Sequence, residues 1–266
     1  MPAPMPYLRL RQICLVAPQL APAVATVEAV LGLPVCYRDP NVAKFGLKNA
    51  LFALGSSFLE IVAPLPGVAD TAAERFIARS GGQGGYMLIF DCDDPAPRRV
   101  RAEAMGVRIA FALNYADYRG VQLHPRDTRA VMLEFDHTDG GESLTGPYHP
   151  AGPDWQSGRR LDRVSGLAGA EVLSPDAAGL AAHWAALMGV QATADEQGGQ
   201  HLPLDFGAVC IRPAPVGTPE HLATLRVAVG DPAAVLAAAA LAGCTVQGGC
   251  FQLAGVAIEP VTAAAA

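Results

Sequence analysis

The sequence predicts an α+β protein made of four copies of a strand–helix–three-strand (βαβββ) module, paired into two domains. Three observations predict it. A strand, a short turn, an apolar helical stripe and a closing glycine recur four times along the chain. A glutamate stands 28 residues after the closing glycine in each of the first two copies, at Glu60 and Glu134. A Gly- and Pro-rich stretch from Asp136 to Asp162 separates the first two copies from the last two.

In the first copy, residues 9–17 read as a strand, Pro18 to Leu20 turn the chain, and Leu20, Val24, Val27 and Leu31 recur at helical spacing. Gly32 then supplies a left-handed stop. The second copy runs through Tyr86–Cys92, Asp93 to Pro95, Val100–Met105 and Gly106. The third uses Ala170–Leu173, Ser174 to Asp176, Leu180–Met188 and Gly189, and the fourth Leu225–Val229, Gly230 to Pro232, Val235–Leu241 and Gly243. Short strands rich in apolar and β-branched residues follow each helix, with Phe58–Val62 closing the first copy and Val131–Phe135 the second. A four-stranded sheet with one helix leaves a face uncovered, so the copies must pair. The expected boundaries are residues 1–138 for the first domain, 139–162 for a linker and 163–266 for the second. Tyr148, His149 and Trp155 are unusual for an inert linker and are expected to dock against a domain surface, with covering an opening as the alternative.

Composition excludes several classes of function. With 51% hydrophobic and 17% charged residues the chain is globular rather than disordered. The formal charge of −6 includes 14 basic and 15 acidic residues up to residue 150, so neither half offers the positive field that nucleic acid requires. No apolar run approaches the ~20 residues of a membrane span. The six cysteines form no C-x-x-C pair, and Met1 to Arg11 lack the apolar core of a signal peptide, so a reducing cytoplasm is expected.

Three segments carry a resemblance: QICLVAPQL from Gln12 to Leu20, FLEIVAP from Phe58 to Pro64, and LHPRDTRAVMLEF from Leu123 to Phe135. They resemble the vicinal oxygen chelate superfamily, which includes glyoxalase I, methylmalonyl-CoA epimerase, extradiol dioxygenases and bleomycin-resistance proteins. The resemblance is nearest to glyoxalase-like two-domain members. It implies two domains, each of two modules curved around a cup, with a metal on inward residues of the first and last strand of each module. Carried onto this chain, those positions are Gln12, Glu60, Met87 and Glu134.

Gln12, Glu60 and Glu134 are oxygen donors suited to a hard ion, so the expected cofactor is either none or a divalent metal, Mg or Mn before Zn or Fe. Met87 departs from the pattern because a thioether is a poor ligand for such an ion. Strand alternation puts Gln12, Cys14 and Val16 on one face, and Phe58, Glu60 and Val62 on one face. Both glutamates lie between large apolar neighbours, where an unpaired carboxylate is costly. They are the candidate catalytic pair, one removing a proton next to a carbonyl and the other returning it. Met132, His124 and Arg126 join Gln12 and Met87 as candidate ligand-binding residues. His124 has a competing role in shaping a hairpin, and Arg126 and Arg129 one as solvated arginines.

In the second domain the corresponding positions are Gly169, a residue near Ile211, Thr224 and Glu259, three of which cannot make a metal centre. His183 reads as structural, and His201 and His221 fall in loop-like contexts. Ring cleavage of the extradiol type is disfavoured. The expected function is an isomerase, epimerase or lyase acting on a small oxygenated metabolite. The alternative is a non-catalytic protein that sequesters a small molecule, as bleomycin-resistance proteins do. The expected partner is that small-molecule ligand, with a homodimer allowed.

Overall fold

The structure is a computed structural model that describes residues 6–263. Its first module comprises β1 (Leu8–Val16), α1 (Leu20–Leu31), β2 (Val35–Tyr37), β3 (Leu47–Leu54) and β4 (Ser57–Pro64). α2 (Ala72–Arg79) follows, then the second module: β5 (Gly84–Cys92), α3 (Ala96–Ala104), β6 (Ile109–Asn114), β7 (Tyr118–Leu123), α4 (Pro125–Thr128) and β8 (Met132–Thr138). The third module is β9 (Val164–Ser174), α5 (Ala177–Met188), β10 (Thr193–Ala194), β11 (Gln200–Leu202) and β12 (Val209–Pro213). The fourth is β13 (His221–Val229), α6 (Pro232–Leu241), β14 (Val246–Gln247), β15 (Cys250–Leu253) and β16 (Val256–Thr262).

The four expected modules are thus present, in two eight-stranded mixed sheets. Their strand orders are β2-β3-β4-β1-β5-β8-β7-β6 and β10-β11-β12-β9-β13-β16-β15-β14. Within every module the first and last strands run parallel, and the last three strands form an antiparallel meander. Each closing glycine does what the sequence expects: Gly32, Gly106, Gly189 and Gly243 all have positive φ.

α2 is an element the periodicity does not announce. Its start is nonetheless written locally, because Thr71 and Glu74 form a reciprocal capping box. β9 begins at Val164, earlier than the expected Ala170. Ser165, Gly166 and Gly169 hide the extension by interrupting the apolar pattern.

The chain divides into two compact units. One contains the segment up to Arg11, Met87–His149 and Gly169–Ala223; the other contains Gln12–Tyr86, Pro150–Ala168 and the chain from Thr224 onward. In the first unit α3 packs on α5, and in the second α1 packs on α6. The stretch after β8 docks in both units, as its aromatic residues led us to expect. In the first unit Tyr148 is 2% exposed and lies under the Arg11 guanidinium. In the second Trp155 is 1% exposed and meets Phe58 edge-on at 5.1 Å.

No helix among the described residues is long and apolar enough to cross a membrane. The core of the first unit includes Trp184, fully buried, whose indole Nε1 donates to Thr128 O at 2.8 Å. His183 beside it places Nε2 2.7 Å from Asp127 O, a structural role. Trp184→Ala should cost about 3–5 kcal/mol, because it opens a large cavity and strands that carbonyl. The expected readout is a lower urea midpoint with an unchanged slope.

Candidate functional site

In the second unit the site is built on β1, β3 and β4. Parallel pairing sets Gln12 opposite Phe58 and Cys14 opposite Glu60, so Gln12 and Glu60 share a face. Glu60 is 7% exposed. Gln12 Nε2 donates to Glu60 Oε2 at 2.9 Å, and Asn49 Nδ2 donates to Glu60 Oε1 at 2.7 Å. Asn49 is oriented by its own oxygen, which accepts from the Asp39 backbone N–H at 2.9 Å. Asn49 is absent from the sequence reading. Its signal was an amide next to Lys48 at the start of a strand whose remaining residues are apolar.

Burial raises the Glu60 carboxyl above its ordinary value of 4.5. Hydrogen bonds from Asn49, Cys14 and Gln12 pull the other way, and the Asp39 charge adds to the rise. Gln12 is 2% exposed, and its Oε1 has no hydrogen-bond partner among the described residues. A buried amide oxygen without a partner is rare enough to ask for a ligand atom. Gln12 Oε1 and the Glu60 carboxylate are hard oxygen donors, which fits an ion of the Mg or Mn type.

In the first unit β5, β7 and β8 build a different arrangement. Met87 pairs with Met132, Ile89 with Glu134 and Asp91 with Asp136 along parallel strands. Tyr118 and Gln122 on β7 lie on the same face as Glu134 and Asp136. The Tyr118 hydroxyl is 2.8 Å from Glu134 Oε1 and 3.1 Å from Asp136 Oδ2, and Gln122 Nε2 donates to Glu134 Oε2 at 2.9 Å. A side chain at Gly120 would crowd them, since a Cβ there would lie 3.1 Å from Glu134 Oε1.

One phenol has one proton to donate. The two contacts are both satisfied when Asp136 is protonated and donates to Tyr118, which donates in turn to Glu134. The electrostatics agree. Asp136 is fully buried, and desolvation, then the charges of Asp91 and Glu134, push its carboxyl well above the usual range. Asp91 is pushed up to about 6 by burial, against the pull of Arg11 and Arg9, whose guanidinium groups lie 3.4 and 3.6 Å away. Arg11 is itself held by Leu144 O at 2.8 Å. None of Tyr118, Gln122, Asp91, Asp136 and Arg11 is marked as a site residue by the sequence, although Asp136 stands two residues from Glu134 on the same strand face.

Met87 and Met132 are each 8% exposed, on the strand face that carries Glu134. His124 caps α4, its Nδ1 accepting from Arg126 N at 3.2 Å, while the Arg126 side chain is exposed. Arg129 is not a solvated hairpin arginine. It bonds Glu220 through Nε at 2.8 Å and Asp176 through Nη2 at 3.1 Å. Glu259 pairs with Arg226 at 2.9 Å on the surface. His201 and His221 lie on strands, β11 and the start of β13, rather than in loops. β11 is only three residues long and lacks the apolar alternation that would have marked it.

A surface hollow of about 590 Å³ in the second unit is lined by Pro18, Gln19, Lys48, Glu74 and Ile77, and not by Gln12, Asn49 or Glu60.

The profile of a family described as a glyoxalase-like domain matches residues 13–188, more than half of the chain. Among solved structures, a Mn(II)-bound glyoxalase from Novosphingobium aromaticivorans is 13% identical, with a TM-score of 0.66, covering 96% of this chain and 82% of its own. A Streptomyces coelicolor methylmalonyl-CoA epimerase in complex with 2-nitronate-propionyl-CoA is 21% identical, with a TM-score of 0.44, covering 50% of this chain and 98% of its own. The epimerase from Mycobacterium tuberculosis is 21% identical, with a TM-score of 0.43, covering 50% and 87%. At these identities the likeness is one of fold. No curated protein matches the chain in sequence.

The raised Glu60 carboxyl has a consequence for stability. The folded protein holds this proton at pH values where the unfolded chain has released it. Its contribution is therefore full below the unfolded pKa and falls as pH rises through the folded one. Glu60→Gln is neutral at every pH, so its stability relative to the parent should improve steadily as pH rises above about 4.5. Urea midpoints of both proteins between about pH 4 and pH 8 check the slope.

Proposed function

The chain belongs to the glyoxalase-like domain family, and from that premise we propose that it is an isomerase, epimerase or lyase acting on a small oxygenated metabolite, with Glu60 and Glu134 as its proton-transfer groups. The observation that carries the reading is the Glu60 carboxyl, buried, raised in pKa and gripped by amides on both oxygens. A carboxylate whose pKa is raised is a stronger base than an ordinary surface glutamate, which suits removal of a proton next to a carbonyl. The two amides keep its oxygens in place without neutralising it. Gln12 Oε1 is free to accept from a hydroxyl or to ligate a metal.

Glu134 is suited to the opposite task. It terminates the hydrogen-bond chain from Asp136 through Tyr118, so a proton given up at Glu134 can be replaced from a buried reserve. A divalent ion of the Mg or Mn type, with Gln12 and Glu60 among its ligands, would polarise the substrate carbonyl and acidify the neighbouring C–H. The methylmalonyl-CoA epimerases and the Mn(II)-bound glyoxalase are consistent with this class of reaction without naming the substrate.

A second reading, sequestration without turnover, is favoured by Met87, because a thioether at that position adds apolar contact where a ligand to a hard ion would otherwise sit.

The test is hydrogen exchange in D₂O, followed by NMR, over a panel of small 2-oxo acids, hydroxy ketones and acyl thioesters, with Mg or Mn added. The parent should exchange the proton next to the carbonyl of at least one compound. Glu60→Gln and Glu134→Gln should each slow that exchange about 100-fold or more. Unchanged exchange in the double variant would overturn the catalytic reading. Tight binding with no exchange, surviving both substitutions, would choose sequestration.

A further inference from the structure

Module three brings together a second group of ligating side chains. Asp195 opens the turn between β10 and β11, His201 lies on β11 and Cys210 on β12. His201 and Cys210 are direct cross-strand partners. His201 Nε2 is 2.9 Å from Asp195 Oδ2 and 3.9 Å from Cys210 Sγ, and one donor atom from each of the three residues lies within 4.8 Å of the others.

We propose that Asp195, His201 and Cys210 form a binding site for one zinc-class divalent ion, with a fourth position open to solvent. Oxygen, imidazole nitrogen and thiolate are a donor set that selects a borderline ion over Mg or Ca. Metal–ligand bonds of about 2.0–2.3 Å place tetrahedral ligand atoms roughly 3.3–3.5 Å apart, and the two observed separations bracket that range. The competing reading is a thiol nucleophile activated by histidine and aspartate. In such a relay the acid bonds one ring nitrogen and the thiol the other. Here both approach the same nitrogen, as ligands around a common centre do.

The surroundings are arranged for it. Asp195 Oδ1 accepts the backbone N–H groups of Gln197 and Gly199 at 3.0 and 2.8 Å, which fixes the carboxylate and turns Oδ2 toward His201. Gly199 lets the turn close on this carboxylate, since a Cβ would fall 2.6 Å from Asp195 Oδ2. Arg212 bonds Oδ2 at 3.0 Å and is braced by Glu171 at 2.8 Å, the outer-shell support that orients a ligating carboxylate. The side chains of Asp195 and His201 are 29% and 44% exposed, so an ion can enter. Cys210 also holds a telling register. It stands opposite Glu171 as Glu60 stands opposite Cys14, so the strand position that carries a carboxylate in module one carries a thiol in module three.

The test is titration of the chelator-treated, full-length protein with Co(II) alone. One equivalent should produce a thiolate-to-cobalt charge-transfer band in the near ultraviolet, with a proton released from Cys210. Cys210→Ser should abolish the band, and His201→Ala and Asp195→Asn should each weaken Co(II) binding by at least about tenfold. A measurement on the unsubstituted chain stands beside it: Zn(II) should slow iodoacetamide modification of Cys210, mapped by mass spectrometry, relative to Cys36, Cys244 and Cys250. Absence of the band in the parent, its survival in Cys210→Ser, its loss in Cys14→Ser instead, or alkylation of Cys210 that Zn(II) leaves unchanged would each overturn the proposal.

Discussion

Burial of carboxyl groups in strands that are covered on both faces is the constraint from which the chemistry of this protein follows. β4, β5 and β8 are buried along almost their whole length, so Glu60, Asp91, Glu134 and Asp136 have no bulk water to stabilise a charge. Each must find hydrogen-bond donors, a cation or a proton, and each solution is visible. Glu60 has two amides, Asp91 has two guanidinium groups and a phenol, and Asp136 has two phenols. Every one of those supports comes from a neighbouring strand or a docked loop. The polar network therefore exists only while the β-pairing around it is intact.

The two glutamates solve the same problem with opposite chemistry. Amides cannot give up a proton, and at Glu60 they hold both oxygens, with the Cys14 thiol as a further donor. Phenol and carboxylic acid can, so Glu134 sits at the end of a line along which a proton can move. The asymmetry is set by Asn49 in one module and Tyr118 in the other.

Modules three and four keep the scaffold and change what it carries. The position of Gln12 becomes Gly169 and that of Glu60 becomes Cys210, while Glu259 moves to a surface pair with Arg226. The third module then gathers its own ligating set from a hairpin turn and two adjacent strands. Duplication followed by exchange of a few side chains on a fixed register accounts for both outcomes, because backbone pairing does not depend on which polar group a strand displays.

The repeat of strand, helical stripe and closing glycine is local information, and it determined the α+β modules, their order and the place of Glu60 and Glu134 on their strands. Alternation grouped Gln12 with Cys14 and Val16, and Glu60 with Phe58 and Val62, and the parallel register of β1 and β4 put the two groups on one face. Tertiary structure decided which groups meet those carboxyls. Asn49 reaches Glu60 through an antiparallel register, Tyr118 reaches Glu134 and Asp136 across a hairpin, and Arg11 reaches Asp91 over a sequence separation of 80. It also brought Asp195, in a turn, together with His201 and Cys210 on two neighbouring strands. Periodicity records which way a side chain points, and only folding records what stands in front of it.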